Sequence, residues 1–149
     1  MRFFLAGIMQ GSHTAAKCHG QEYREQLTRL IETHFPGAEV YDPHAKHSSS
    51  LGYDHETGRD VFFRHNRMCR EVDALVAFVP EASMGTAIEM WEAYQHGAAV
   101  ITISPLHRNW AVKFLSHALY ADTDAFEAAL QSGEVANRIK EVKKATDEP

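Results

Sequence analysis

The sequence predicts a doubly wound α/β domain: a parallel sheet of about five strands with helices on both faces. Three observations predict it. Runs such as "DALVAFV" and "AAVITIS" are apolar almost throughout, as strands covered on both faces require. Segments with apolar residues at helical spacing alternate with those runs. The chain has 149 residues, enough for one domain with a sizeable core.

The elements follow in order. "RFFLAG" is an apolar run ending in glycine and reads as the first strand. "GQEYREQLTRLIETHF" places Tyr23, Leu27, Leu30, Ile31 and His34 at helical spacing. "PGAEVYDP" is a turn and a short second strand. "HAKHSSSLGYDHETG" is polar and reads as a long loop, a kind that is usually functional inside a compact domain. "RDVFFRHNRMCREV" reads as the second helix, with Val61, Met68 and Val72 among its apolar positions. "DALVAFV", "MGTAIEMWEAYQHG" and "AAVITIS" read as strand, helix and strand. "NWAVKFLSHAL" reads as a shorter helix. From about residue 123 two helical stretches follow, split at Ser132 and Gly133, with Asp122 or Thr123 as the first cap. The whole is one flavodoxin/Rossmann-like domain over 1–149. Ligands of such sheets bind outside the carboxyl ends of the strands. The loops expected there hold most of the chain's Gly, Ser and His.

Composition narrows the function. The formal net charge is −5, which argues against a surface for nucleic acid polymers. No apolar run is long enough to cross a membrane. The two cysteines, Cys18 and Cys69, lack metal-ligand spacing and fit a reduced, cytoplasmic setting. Ten histidines are dispersed, without an HExxH arrangement, so no metal and no cofactor are expected.

"SMGTAIEMWEAYQHG" carries the chemistry. Ser83 is a plausible N-cap, and Gly85 permits close approach to the backbone. Free amides and the dipole at a helix start attract an anion. Glu89 lies six residues after Ser83, about 9 Å along a helix axis. That spacing suits a phosphate at the helix start and an electrophilic carbon beside the second turn, as in a nucleoside 5′-monophosphate. Glu92 points to another side of the helix. Tyr53 and Asp54, in the long loop, are candidates for contact with a base, Tyr53 by stacking.

The stretch "DALVAFVPEASMGTAIEMWEAYQHGAAVITISP" resembles the core of the nucleoside 2-deoxyribosyltransferase superfamily, nearest the nucleoside 5′-monophosphate N-glycosidases. The likeness covers roughly residues 1–120. It implies a Ser-x-Gly-x-x-x-Glu motif at Ser83, Gly85 and Glu89, with Glu89 as nucleophile on C1′ and Ser83 and Gly85 on the 5′-phosphate. The transferases acting on free nucleosides carry Asp where this chain has Ser83. The resemblance also implies substrate contacts in the first loop, "AGIMQGSH", hence Gly7, Gly11 and Ser12. It further implies that Ser116 completes the phosphate site of a neighbouring subunit in a homodimer or higher homo-oligomer.

One departure is informative. The glycosidases have an Asp in the second helix, eight residues before the acidic residue that opens the third strand, and it protonates or positions the leaving base. Counting back from Asp73 reaches His65, beside Asn66. Either His65 does acid work, or Asp54 or Asp60 reaches in, or the base needs no acid. The expected activity is hydrolysis of a nucleotide N-glycosidic bond. Alternatives are deoxyribosyl transfer, the lysine-decarboxylase-like phosphoribohydrolases suggested by "MGTAIE", and a non-catalytic nucleotide sensor.

Overall fold

The computed structural model describes residues 1–11 and 18–147. Strand β1 (Arg2–Gly7) leads to helix α1 (Tyr23–His34) and strand β2 (Glu39–Tyr41). Helix α2 (Pro43–Lys46), a 3-10 turn at Ser50–Gly52 and helix α3 (His55–Cys69) come next. Strand β3 (Ala74–Phe78), helix α4 (Met84–Gln95) and strand β4 (Ala99–Ile103) follow. Helix α5 (Trp110–Leu115), strand β5 (Ala118–Tyr120), α6 (Thr123–Gln131) and α7 (Glu134–Asp147) complete the order. The five strands form one sheet in the order β2-β1-β3-β4-β5, with every pairing parallel.

The near-continuous apolar runs are explained by two cores. Side chains alternate along a strand, so successive residues face opposite sides. Phe3, Leu5, Val76 and Ile101 pack with Leu27, Ile31, Phe126 and Ile139, from α1, α6 and α7. Phe4, Ala6, Leu75 and Val100 pack with Cys69, Met90, Ala93 and Val112, from α3, α4 and α5. Both faces of the central strands are therefore dry, and a polar residue there would be costly. Where one is present it is bonded. The buried Ser104 hydroxyl donates to the Val79 carbonyl at 2.6 Å and accepts from the Leu106 amide, fixing the ends of β3 and β4 together.

Two segments differ from their sequence reading. The stretch after Asp42 is not a structureless loop. Asp42 caps α2 through the His44 amide, and Asp54 caps α3 through the Thr57 amide, so α3 begins at His55 rather than Arg59. Likewise "KFLSHAL" is not all helix. Ser116 adopts an extended conformation, and Ala118–Tyr120 pair with β4 as the fifth strand. Three residues are too few to show a period of two, which is why the strand has no signature.

In the order 2-1-3-4-5 the connections turn to opposite sides after β1 and β3. A crevice opens at that switch point, outside the carboxyl ends of the strands. The chain from β1 and the chain into α4 form its floor, and the segment from Pro43 to α3 forms its roof.

Candidate active site

A cavity of about 430 Å³ occupies this crevice. Pockets for small organic ligands are commonly of this size. Gly7 and Gly11 line it from the first loop, Ser83, Gly85 and Glu89 from α4, and Tyr53 and His65 from the roof and α3. These seven were all expected at the site. Ser12 lies outside the described residues.

Glu89 is set into the second turn of α4. Solvent reaches it only partly, through the cavity, and no hydrogen bond is made to its carboxylate by the described residues. Burial pushes its carboxyl up to about 8, against an opposing pull from the Arg24 guanidinium. A carboxylate without partners in a low-dielectric pocket is held by the fold at a cost, which is common where carboxylates do chemistry. Glu92, three residues on, does not line the cavity and pairs with Arg70 at 2.7 Å instead.

Ser83 caps α4 in an extended conformation. Its Oγ accepts from the Thr86 amide at 3.4 Å and lies 2.9 Å from Thr86 Oγ1. The amides of Met84 and Gly85 have no intrahelical partner at this helix start. A Cβ on Gly85 would meet nothing within 4 Å, so the glycine leaves an open approach to the backbone. Gly7 works differently. A Cβ there would stand 2.3 Å from the Tyr23 hydroxyl, so its lack of a side chain lets Tyr23 close on the end of β1.

The floor is bolted by Arg24, a residue the sequence reading passed over. It is 3% exposed. Its guanidinium donates to the carbonyls of Leu5 and Gly7 and to Asp42 Oδ1, and its Nε donates to Gln21 Oε1. Charge-assisted bonds of this kind are the stronger ones. They join α1, the end of β1 and the cap of α2 beneath the cavity. The only sequence hint is a charged residue on the inner stripe of an amphipathic helix.

His65 is 9% exposed, and its Nε2 lies 3.2 Å from the Tyr41 hydroxyl. Burial, and then the nearby His47 and Arg64, push its imidazole down to about 4. It is therefore neutral at physiological pH, whereas an ordinary histidine would offer a second proton near pH 6.5. His47, also missed, lines the cavity and bridges Arg64 and Tyr53 at 2.6 and 2.9 Å. Asn66 lines it too. Its Nδ2 donates to the Phe62 carbonyl, and its buried Oδ1 has no partner among the described residues.

The remaining candidates lie elsewhere. Asp54 is turned to the Thr57 amide and hydroxyl at the start of α3, which hold its carboxyl below the usual range, and it does not line the cavity. Asp60 is on the exposed side of α3, 3.9 Å from Arg59. The Ser116 hydroxyl is turned inward, 2.5 Å from the Val112 carbonyl and 2.6 Å from Thr102 Oγ1, and is not part of its own protomer's cavity. Among the described residues no His, Cys, Asp and Glu cluster could hold a metal, and no helix is long and apolar enough to cross a membrane.

Comparison with solved structures places the fold. The chain is similar to a 2-deoxyribosyltransferase from Bacillus psychrosaccharolyticus, with a TM-score of 0.64 and 18% identity over 87% of this chain and 96% of that one. It is similar to the solution structure of BlsM, with a TM-score of 0.67 and 17% identity over 99% and 94% of the two chains. It is also similar to FerB, a flavoenzyme NAD(P)H:acceptor oxidoreductase from Paracoccus denitrificans, at a TM-score of 0.52 and 13% identity over 96% and 97%. No protein-family profile and no curated protein sequence matches the chain. One fold thus spans a glycosyl-transfer enzyme and a redox enzyme, so chemistry has to be argued from the cavity.

Proposed function

We propose that the chain hydrolyses the N-glycosidic bond of a nucleoside or 2′-deoxynucleoside 5′-monophosphate, giving free base and sugar 5-phosphate. The observation that carries this reading is Glu89: a carboxylate with no hydrogen bond from the described residues, facing a ligand-sized cavity, on the helix whose start offers free amides to an anion. The phosphate binds at Ser83, Met84 and Gly85. The ribose lies along the first turns of α4, which brings C1′ to Glu89. As the C1′–N bond breaks, positive charge develops on the sugar. Glu89 stabilises it and closes on C1′ as an ester, which water then opens. Leu51, Val61 and Phe62 give the base an apolar wall. The similarity in fold to a 2-deoxyribosyltransferase supports the same bond as the target. It also favours a second reading, in which a free base rather than water opens the ester.

His65, neutral and bonded to Tyr41, takes a different part from the acid role its type suggested. It packs against His47 at 5.2 Å between ring centres and supports the roof.

A panel of ribo- and 2′-deoxyribonucleoside monophosphates, assayed for free base with and without a second base, tests the reading. Base release without acceptor supports hydrolysis. Release only with acceptor supports transfer. Binding without release would leave a sensor and overturn the enzyme.

The same panel carries a prediction about the phosphate. Ser83→Asp should lower kcat/KM for the monophosphate by roughly tenfold or more, since one lost contact is worth about that much and a like charge adds to it. Asp caps a helix as well as Ser does, so the fold should hold. Equal kcat/KM for monophosphate and free nucleoside in the wild type would refute a phosphate site.

A shared site completes the proposal. Met84, Trp110 and Phe114 are 80%, 78% and 57% exposed beside the start of α4. A second copy seated there would cover them and bring its Ser116 near the phosphate. Trp110→Glu should then yield a monomer with weakened nucleotide binding. A fully active wild-type monomer at micromolar concentration would exclude the arrangement.

A further inference from the structure

We propose that Tyr53 gives the proton to the departing base, its hydroxyl oriented by a one-way chain of hydrogen bonds from Arg64 through His47. This rests on the N-glycosidase reading above and supplies the group that reading lacks. Among the described residues that line the cavity, Glu89 is the only carboxylate. If it is the nucleophile, the proton must come from a different kind of group.

The direction of the chain follows from counting donors. A guanidinium only donates, so the 2.6 Å contact from Arg64 to His47 Nε2 makes that nitrogen an acceptor. The single N–H of a neutral imidazole is then on Nδ1, which lies 2.9 Å from the Tyr53 oxygen. Nδ1 donates and Tyr53 accepts; the tautomer is assigned from the network in this way. The Tyr53 proton has no acceptor among the described residues, while Tyr53 lines the same cavity as Glu89. Its hydroxyl is thus a donor awaiting a ligand.

The chain also leaves the Tyr53 oxygen with a partner throughout: His47 Nδ1 donates to it before the proton leaves and still donates to it afterwards. Local structure holds the chain in place. The His47 amide bonds to the carbonyls of Pro43 and His44, the Tyr53 amide bonds to the Ser50 carbonyl, and Arg64 projects from α3. His47 and Arg64 are positioning residues, and Tyr53 alone would touch the base.

The step balances. The C1′–N electron pair leaves with the base, whose ring nitrogen or carbonyl oxygen takes the Tyr53 proton. One Glu89 oxygen forms the bond to C1′. Water then attacks C1′, the ester electron pair returns to Glu89, and the water's proton restores Tyr53. The net change is base–sugar plus water to base–H plus sugar–OH.

The test is a series of nucleoside monophosphates graded in leaving-group pKa, ending in 7-methylguanosine 5′-monophosphate, whose base departs without needing a proton. Tyr53→Phe should lower kcat on ordinary bases by about 10²–10⁴, the usual range for a lost general acid. The penalty should shrink steadily along the series, to within about threefold for the cationic base. His47→Leu should show a smaller loss with the same trend. A penalty uniform along the series, or none, overturns the proposal while leaving Glu89 hydrolysis intact. If the wild type releases no base from any member, the N-glycosidase reading falls, and Tyr53 as acid falls with it.

Discussion

Glu89→Gln is expected to lower base release by at least about 10³-fold, with the fold and nucleotide binding preserved. Gln fills the same space but cannot form an ester that water reopens, so the covalent route is closed. Losses of this order follow removal of a group that acts only in the transition state, and KM should change little. The wild type adds a second readout. Its nucleophile must be ionised, and burial holds that carboxyl near 8. The kcat/KM of wild type should therefore rise with pH on a limb centred near that value. A flat profile between pH 6 and 9, or near-wild-type turnover in Glu89→Gln, would remove Glu89 from the reaction.

The same substitution should stabilise the protein at alkaline pH. The folded state raises the Glu89 carboxyl from 4.5 to about 8. Between those values the unfolded chain has released a proton that the native state still holds, so stability falls as pH rises through the window. Below pH 4.5 both states are protonated and the cost vanishes. Each pH unit inside the window corresponds to about 1.4 kcal/mol, which puts the cost on the order of 3 kcal/mol near pH 7. Gln carries no charge and escapes it. Thermal melts should show the Tm difference, variant minus wild type, growing by several degrees from pH 4.5 to 8. A difference independent of pH would mean that the carboxylate is solvated after all. Sites that work by holding an unfavourable charge often gain stability when that charge is removed.

The sequence made the floor of the site legible, and the structure explains why. Ser83, Gly85 and Glu89 belong to one helix, so their relation is fixed by a spacing of six residues and a cap, both local quantities. Gly7 is the last residue of strand β1, and the order of apolar runs placed it beside them. The roof was harder. His47 meets Arg64 across 17 residues, and His65 meets Tyr41 across 24. No local pattern encodes such pairings. The low titration of His65 could not be read from its type, because burial sets it. Arg24 was hidden by another rule: an arginine on a helix is usually solvated, and only its carbonyl partners at the end of β1 show it to be a buried bolt. Strand β5 escaped because three residues carry no periodicity.

The two walls of the cavity rest on unequal foundations. The floor hangs from β1 and β3, which have a strand on either side and dry cores on both faces. The roof hangs from β2, an edge strand of three residues, and from a helix of four. Regions of few buried contacts open with far less free energy than the global transition, and lids are drawn from them. Amide protons of β1 and β3 are therefore expected to exchange only when the whole molecule unfolds, and those of the roof in local openings that leave the sheet intact. On the proposed function, substrate would enter and product leave through fluctuations of residues 43–54. On the proposed mechanism Glu89 stays fixed while its covering breathes, and substitutions in the covering other than at His47 and Tyr53 should change the rate at which it lifts without disturbing the chemistry below.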